Sequence, residues 1–333
     1  MILTNDNKYE ESRRKQLKID EFNSVEHPFM EQLKELGWND DANEVIELKM
    51  QQQPSESFRT SFSEVVLMPK LRKALKQIND FLTDSQIDEV ANRITAYQGG
   101  TLLENNERIF NLLVEGTSVS RNEQTGEQSP SVRYIDFDHP ENNIFTAISQ
   151  FKVAIPGTDH HIIPDIVLFL NGLPIVVVEA KSPKVSEPLS EAIDQLMRYS
   201  EQRGDTGEGN PALFQYNQFL IVTCRNEAKA GTITTHREKY FYRWTDPYPM
   251  TLNDLTHGQS APNDQQRLVA GMLSLQNLLD IIRIFTIFSI NDKGKKIKIV
   301  CRYQQFRAVK KMVKRLQKGK TKEDRGGILW HTQ

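Results

Sequence analysis

Cysteine is nearly missing from this chain. Cys224 and Cys301 are its only thiols. They are far apart and lack the paired spacing of a zinc site, so neither a disulfide framework nor a thiolate metal centre is expected, and a reducing cytoplasmic setting fits. Long apolar runs are also missing. No stretch of about 18 uninterrupted apolar residues occurs, so no membrane-spanning helix is expected. Met1-Ile2-Leu3-Thr4-Asn5-Asp6-Asn7-Lys8 has no basic start followed by an apolar core, and so does not read as a secretory signal. Repeats and low-complexity tracts are absent. Gly207-Glu208-Gly209 follows no strand and precedes no Lys-Ser/Thr, so it is not a phosphate loop. Asp159-His160-His161 has no further Cys or His partner set and reads as a polar loop.

Charge is unevenly spread. The formal net charge is −2, but residues 291–333 hold 14 Lys and Arg against 3 Asp and Glu, leaving +11 there and −13 on the remainder. A basic segment on an acidic body suggests that contact with nucleic acid or nucleotide is confined to one region. The 333-residue length allows two domains.

The most informative run is Pro164-Asp165-Ile166-Val167-Leu168-Phe169-Leu170-Asn171-Gly172-Leu173-Pro174-Ile175-Val176-Val177-Val178-Glu179-Ala180-Lys181. Two apolar, β-branched-rich segments flank Asn-Gly, a strong hairpin signal. A two-residue loop sets residue 165 across from 178; a four-residue loop sets it across from 180. Both are expected to bring Asp165 beside Glu179. Glu179 and Lys181 are two apart and share a strand face. Two carboxylates and a lysine suit metal-assisted phosphodiester hydrolysis. Mg²⁺ needs few hard oxygen ligands, it acidifies a water and offsets phosphate charge, and the lysine can orient that water.

Downstream, residues 188–199 show a helical apolar period, with Gln195 and Tyr199 four apart on one face. Upstream, residues 22–36 form an amphipathic pattern closed by Gly37. Residues 62–96 suggest two or three helices and residues 104–114 another. Strands are expected over 132–137, 145–154 and 219–224. Residues 203–211 read as a polar loop, 246–264 as a linker, and 265–290 and 302–317 as helices. Residues 1–20 read as a charged arm.

Asp165, Glu179 and Lys181 resemble the catalytic set of the PD-(D/E)xK nuclease superfamily, and Gln195-x-x-x-Tyr199 is similar to a motif of its exonuclease-like branch. The closer resemblance, carried by residues 171–181 and by Glu141-Asn142-Asn143-Ile144-Phe145, is to the nuclease domain of the motor (R) subunit of type I restriction enzymes. Arg302-Tyr303-Gln304 resembles the adenine-reading Q motif of superfamily 2 helicases. Residues 326–333 resemble the strand that enters the phosphate loop, whose Gly-Ser-Gly-Lys-Ser/Thr is not in this sequence.

The resemblance implies an α/β fold with a mixed, restriction-endonuclease-like central sheet flanked by helices over residues 21–245, then the helical start of a RecA-like helicase domain over 265–333. It implies Mg²⁺ held by Asp165, Glu179 and the Ala180 carbonyl, with Lys181 positioning the water and Gln195 and Tyr199 supporting DNA or the catalytic residues. It also implies an acidic residue on the helix before the sheet. Glu26 matches, with Glu31 and Glu104 as alternatives. Gln304 would read ATP in the whole subunit, which pulls double-stranded DNA and cuts it with methylation (M) and specificity (S) subunits as partners and no membrane. A stand-alone repair or junction nuclease and a non-catalytic docking module are the other readings.

Overall fold

The Asn171-Gly172 turn sits at the centre of the fold. A computed structural model of the chain describes residue 16 and residues 21–96, 99–256 and 260–330. Both turn residues have positive φ, 52° and 81°, the conformation that a tight two-residue hairpin loop demands. A Cβ on Gly172 would lie 2.5 Å from the Leu67 carbonyl oxygen, so the turn is also a point of close approach. The strands it joins, β7 (Ile166–Leu170) and β8 (Leu173–Ala180), are buried along their whole length.

They form the middle of a six-stranded mixed sheet of order β1-β4-β7-β8-β9-β10, with β1 (Glu44–Ile46), β4 (Phe145–Ser149), β9 (Phe219–Thr223) and β10 (Ala228–Gly231). β1 and β4 run parallel, as do β8 and β9; the other neighbours are antiparallel. Two-residue ribbons pair β2 (Thr117–Ser118) with β3 (Ser131–Val132) and β5 (Val153–Ala154) with β6 (His161–Ile162). A separate hairpin pairs β11 (Thr286–Ile290) with β12 (Lys296–Val300).

Helices flank the sheet. The first, α1, spans residues 22–38 and ends where Gly37 turns to φ 90°. Next come α2 (Met68–Ile78), α3 (Asp84–Thr95) and α4 (Leu102–Glu115), the last two opened by Thr83 and Thr101 in capping boxes. α5 (Pro188–Tyr199) follows β8 and packs on β8 and β9. α6 (Asp264–Leu273) and α7 (Leu275–Ile284) come after the 246–264 stretch, and α8 (Tyr303–Lys318) follows the last hairpin. α6 packs on α1 and β10. Gln32 Nε2 donates to the Gln266 carbonyl, Trp38 Nε1 to that of Leu273, and Gln265 Nε2 to that of Val25.

Several elements differ from expectation. Residues 132–137 do not continue as a strand. Asp136 instead accepts the backbone N–H groups of Asp138 and His139, and this local turn competes with a ladder. The 145–154 segment is broken at Gln150, which has φ 50°. The helical reading of 265–290 fails at its end: 286–290 is strand β11, because its β-branched and aromatic residues pair with β12. β1 and β10 are short edge strands that pattern alone did not signal. In the segment likened to the approach to a phosphate loop, residues 326–330 form no ladder and Trp330 is exposed, while residues 331–333 lie outside the described residues, as does the 1–20 arm apart from Gln16.

The β11–β12 hairpin is pinned to the sheet domain by Lys298, which is 3% exposed. Its Nζ donates to Asn106 Oδ1 (2.9 Å), the Asn217 carbonyl (2.7 Å) and Gln218 Oε1 (3.0 Å). The rings of Phe110 and Phe288 lie 5.6 and 5.5 Å away. Thr232 and Thr234 hydroxyls donate to its carbonyl. Burial pushes the ammonium well below the usual lysine pKa, yet all three acceptors are satisfied only by the protonated group. Lys298→Ala is therefore expected to lower unfolding free energy by about 2–3 kcal/mol through orphaned acceptors and a cavity. Lys298→Met, which refills the aliphatic volume, should recover part of that loss. Urea midpoints of the three proteins check this; an unchanged midpoint for Lys298→Ala would show that the pin contributes nothing.

Candidate active site

The register of β7 on β8 builds the site, and neither simple hairpin register holds. Leu170 faces Leu173 and Phe169 faces Pro174, but Leu168 faces Val176, so Ile175 is an extra residue in β8. Its carbonyl accepts the N–H of Gln218. From this bulge on, Val167 faces Val177 and Ile166 faces Val178; one step further sets Asp165 across from Glu179. Directly opposed residues of an antiparallel pair share a face. Opposition to residue 178 or 180 would have put Asp165 and Glu179 on different faces, so the bulge is what brings the carboxylates together.

Asp165 is held on both oxygens. Oδ2 accepts the Ala180 N–H at 2.7 Å, and Oδ1 accepts Gln150 Nε2 at 3.2 Å. Glu179 is fully buried. Its Oε1 accepts Lys181 Nζ at 2.9 Å, while Oε2 has no donor among the described residues. The Asp165 carboxyl can pair with it only through a shared proton. Burial first, then the charge of Asp165, pushes the Glu179 carboxyl well above the usual carboxylate range, against the pull of Lys181. Lys181 Nζ also donates to the Ala180 carbonyl at 2.8 Å and lies 4.0 Å from Asp165 Oδ2. Burial works against its charge, but Glu179, Asp165 and Glu21 outweigh it and raise its pKa above the lysine norm. The carboxylates thus favour the ammonium form of Lys181, which also occupies the Ala180 carbonyl expected as a metal ligand.

α1 and its N-cap residue bring two glutamates. Glu26, 3% exposed, accepts Gln150 Nε2 on Oε2 at 2.9 Å. Glu21 Oε2 accepts the Ser182 N–H at 3.1 Å. One oxygen each of Glu21, Glu26 and Asp165 lies within 4.8 Å of the others. Sequence reasoning missed Glu21 for a geometric reason. Positions five apart diverge by about 140° around an α-helix. Residues 22–26 instead form a π-turn, with the His27 N–H bonded to the Phe22 carbonyl, and i→i+5 bonding swings such positions toward one face. Gln150 was also missed; nothing in its neighbours marks it. The two alternatives to Glu26 have other work: Glu31 pairs with Lys34, and Glu104 caps α4.

The donors are all hard oxygens, and one of them, Glu179 Oε2, is buried without a partner. That set fits a hard divalent cation such as Mg²⁺ or Mn²⁺ rather than zinc. Gln195 Nε2 donates to the Tyr199 hydroxyl at 2.6 Å, and that hydroxyl donates to the Ile163 carbonyl at 3.3 Å, two residues before Asp165. The pair thus braces the segment leading into the carboxylate. A cleft of about 540 Å³ opens beside Lys181, lined also by Ser190, Glu191, Asp194, Gln195, Arg198 and Arg203, the last paired with Asp194 at 2.8 Å. Gln304 is not part of this cluster. It stands on α8, and its Oε1 is buried without a donor among the described residues.

Comparison with known proteins agrees on a family. Residues 18–239 match the model described as type I restriction enzyme R protein N terminus. The HindI type I restriction enzyme endonuclease subunit of Haemophilus influenzae is 30% identical over 314 residues, covering 93% of this chain and 28% of that protein. A Methanocaldococcus jannaschii protein, provisionally named the MjaIXP type I restriction enzyme endonuclease subunit, is 27% identical over 340 residues, covering 96% of this chain and 30% of its own length. The chain thus spans under a third of these relatives.

The electrostatics make a pH prediction. Burial, then Asp165, lifts the Glu26 carboxyl from 4.5 to about 8, while the Gln150 hydrogen bond opposes them. Between those values the folded protein holds a proton that the unfolded chain releases, so stability falls as pH rises from 4.5 to 8. Glu26→Gln removes this titration. It should stabilise the metal-free protein above pH 8 by at least about 1.4 kcal/mol, the equivalent of one pKa unit, and change little below pH 4.5. Urea unfolding in EDTA at pH 4.5 and 8.5 tests this; destabilisation at pH 8.5 would contradict it.

Proposed function

The chain belongs to the type I restriction enzyme R protein family, and we propose that its buried acidic cluster is a divalent-cation-dependent centre that hydrolyses phosphodiester bonds of double-stranded DNA. The observation that carries this reading is the convergence of Asp165, Glu179, Lys181 and Glu26 at one sheet end, beside a cleft with two arginines. The names of the relatives, endonuclease subunits, support it. So does the mixed sheet with flanking helices, which fits a PD-(D/E)xK fold.

Asp165 and Glu179 would hold Mg²⁺, with the Ala180 carbonyl available once Lys181 releases it and Glu26 and Glu21 alongside. The cation would offset phosphate charge and acidify a water. Lys181, whose ammonium form the neighbouring carboxylates favour, would hold the attacking water or the phosphate through its N–H donors. The water oxygen would bond to phosphorus as the P–O bond to the leaving sugar breaks; the electron pair stays on the sugar oxygen, which takes up a proton from solvent as the attacking water gives one up. Gln195 and Tyr199 keep the segment leading into Asp165 in place, and Arg198 at the cleft would meet a DNA phosphate, as would Arg203 on exchanging its Asp194 partner.

In the whole protein, cleavage would follow ATP-driven translocation by a RecA-like motor, alongside M and S subunits. The unpaired Gln304 Oε1 is an acceptor for an adenine amino group, and the basic 291–333 segment would meet nucleotide or DNA phosphate.

Lys181→Ala should lower plasmid cleavage by the complete R protein with its M and S subunits by at least about 100-fold while keeping Mn²⁺ binding, because lysine is not a ligand. Asp165→Ala and Glu179→Ala should lose both, and EDTA should abolish cleavage by the unsubstituted enzyme. Cleavage at the normal rate by any of the three variants would overturn the assignment.

A further inference from the structure

We infer that Gln150 is a positioning residue of this centre, one that sets the spacing of the carboxylates before a cation arrives; the inference rests on the nuclease reading above. Its amide bridges Glu26 at the start of α1 and Asp165 at the edge of β7. Nε2 donates to Glu26 Oε2 at 2.9 Å and to Asp165 Oδ1 at 3.2 Å. One hydrogen goes to each carboxyl group, so a single –NH₂ holds together two groups that repel whenever both are ionised.

The backbone supplies independent support. Successive N–H groups of an extended strand point to opposite sides. Here the N–H of Gln150 bonds to the Asp165 carbonyl at 2.7 Å and that of Phe151 to the Pro164 carbonyl at 3.1 Å. Both reach the same neighbouring strand because Gln150 adopts φ 50°, a left-handed conformation unusual for a residue with a Cβ. β4 ends at Ser149, and β5 resumes only at Val153. The left-handed kink is a bulge-like device that re-aims one side chain, and strain of this kind collects at functional sites. Glycine would satisfy the backbone better. A glutamine held there in spite of the strain points to use of its side chain.

The role follows from the oxygen spacing. Glu21, Glu26 and Asp165 offer oxygens within 4.8 Å of one another, close enough for small shifts to bring them to the roughly 3–4 Å that separates ligands about 2.1 Å from one cation. Without the amide, Glu26 and Asp165 would relax apart, and the cation would have to draw them together again. Cation affinity therefore depends on Gln150 although it need not be a ligand, and loss of an outer-shell partner of this kind typically weakens metal binding 10–100-fold.

Three substitutions separate positioning from mere structure. Gln150→Gly removes the amide and relaxes the backbone. It should weaken Mn²⁺ binding by the 333-residue chain, measured calorimetrically, about tenfold, with a thermal midpoint in EDTA at or above that of the unsubstituted chain. Gln150→Leu should weaken Mn²⁺ to the same extent. Gln150→Glu adds a ligand in place of a donor and should bind Mn²⁺ at least as tightly as the original. In the complete enzyme, Gln150→Gly should raise the Mg²⁺ midpoint for cleavage about tenfold while the rate at saturating Mg²⁺ recovers to near normal. Unchanged Mn²⁺ affinity in Gln150→Gly and Gln150→Leu, with normal binding by the original chain, would overturn the role of Gln150 alone. No Mn²⁺ binding by the original chain would overturn the nuclease reading and this inference together. A depressed cleavage plateau with an unmoved Mg²⁺ midpoint would assign Gln150 a purely structural role.

Discussion

One residue of register between β7 and β8 governs the site. Ile175 is inserted opposite the Leu168–Phe169 step, and every residue after it faces a partner one position further along. The shift places Asp165 and Glu179 on one face, sets the Ala180 N–H against Asp165 Oδ2 and leaves Lys181 beside both acids. All of β7 and β8 is buried, so a compensating slip elsewhere would drive apolar side chains out of the core. The bulge is anchored at its own carbonyl by Gln218, which leads into β9. The site is therefore locked to the sheet rather than perched on a loop.

Concentrated negative charge is the second constraint. Glu21, Glu26, Asp165 and Glu179 gather where water is scarce, and their mutual repulsion favours proton uptake. Four donors hold the cluster in place: the Lys181 ammonium, the Ala180 and Ser182 N–H groups and the Gln150 amide. The same repulsion makes the cluster receptive to a cation, since a divalent ion would offset charge that protons otherwise neutralise.

The parts that complete the cluster come from distant sequence. α1 carries Glu26 and has Glu21 at its N-cap, and it is held by α6, more than 230 residues later, through Gln32, Trp38 and Gln265. Gln265 also pairs with Thr223 on β9, so one side chain ties the first helix to the sheet end that holds the site. The segment after 264 shares a core with the sheet and does not hang from it, and Lys298 repeats that link at the β11–β12 hairpin.

Local signals settled much of this by themselves. Asn171-Gly172 between two apolar runs determined the hairpin, because its positive φ values suit few other residues. The period-two spacing of Glu179 and Lys181, the helical spacing of Gln195 and Tyr199 and the amphipathic run carrying Glu26 were equally readable, since each depends on neighbours within a turn or a strand. Tertiary structure decided the rest. The bulge at Ile175 answers to packing against β9, and no residue type marks it. Glu21 joined the cluster through a π-turn, and Gln150 through a left-handed kink fixed by hydrogen bonds to the next strand. The break at Gln150 and the strand at 286–290 likewise depend on partners far along the chain. Sequence periodicity records which face a residue takes within its own element; where two elements meet is set by pairing and packing that no local pattern contains.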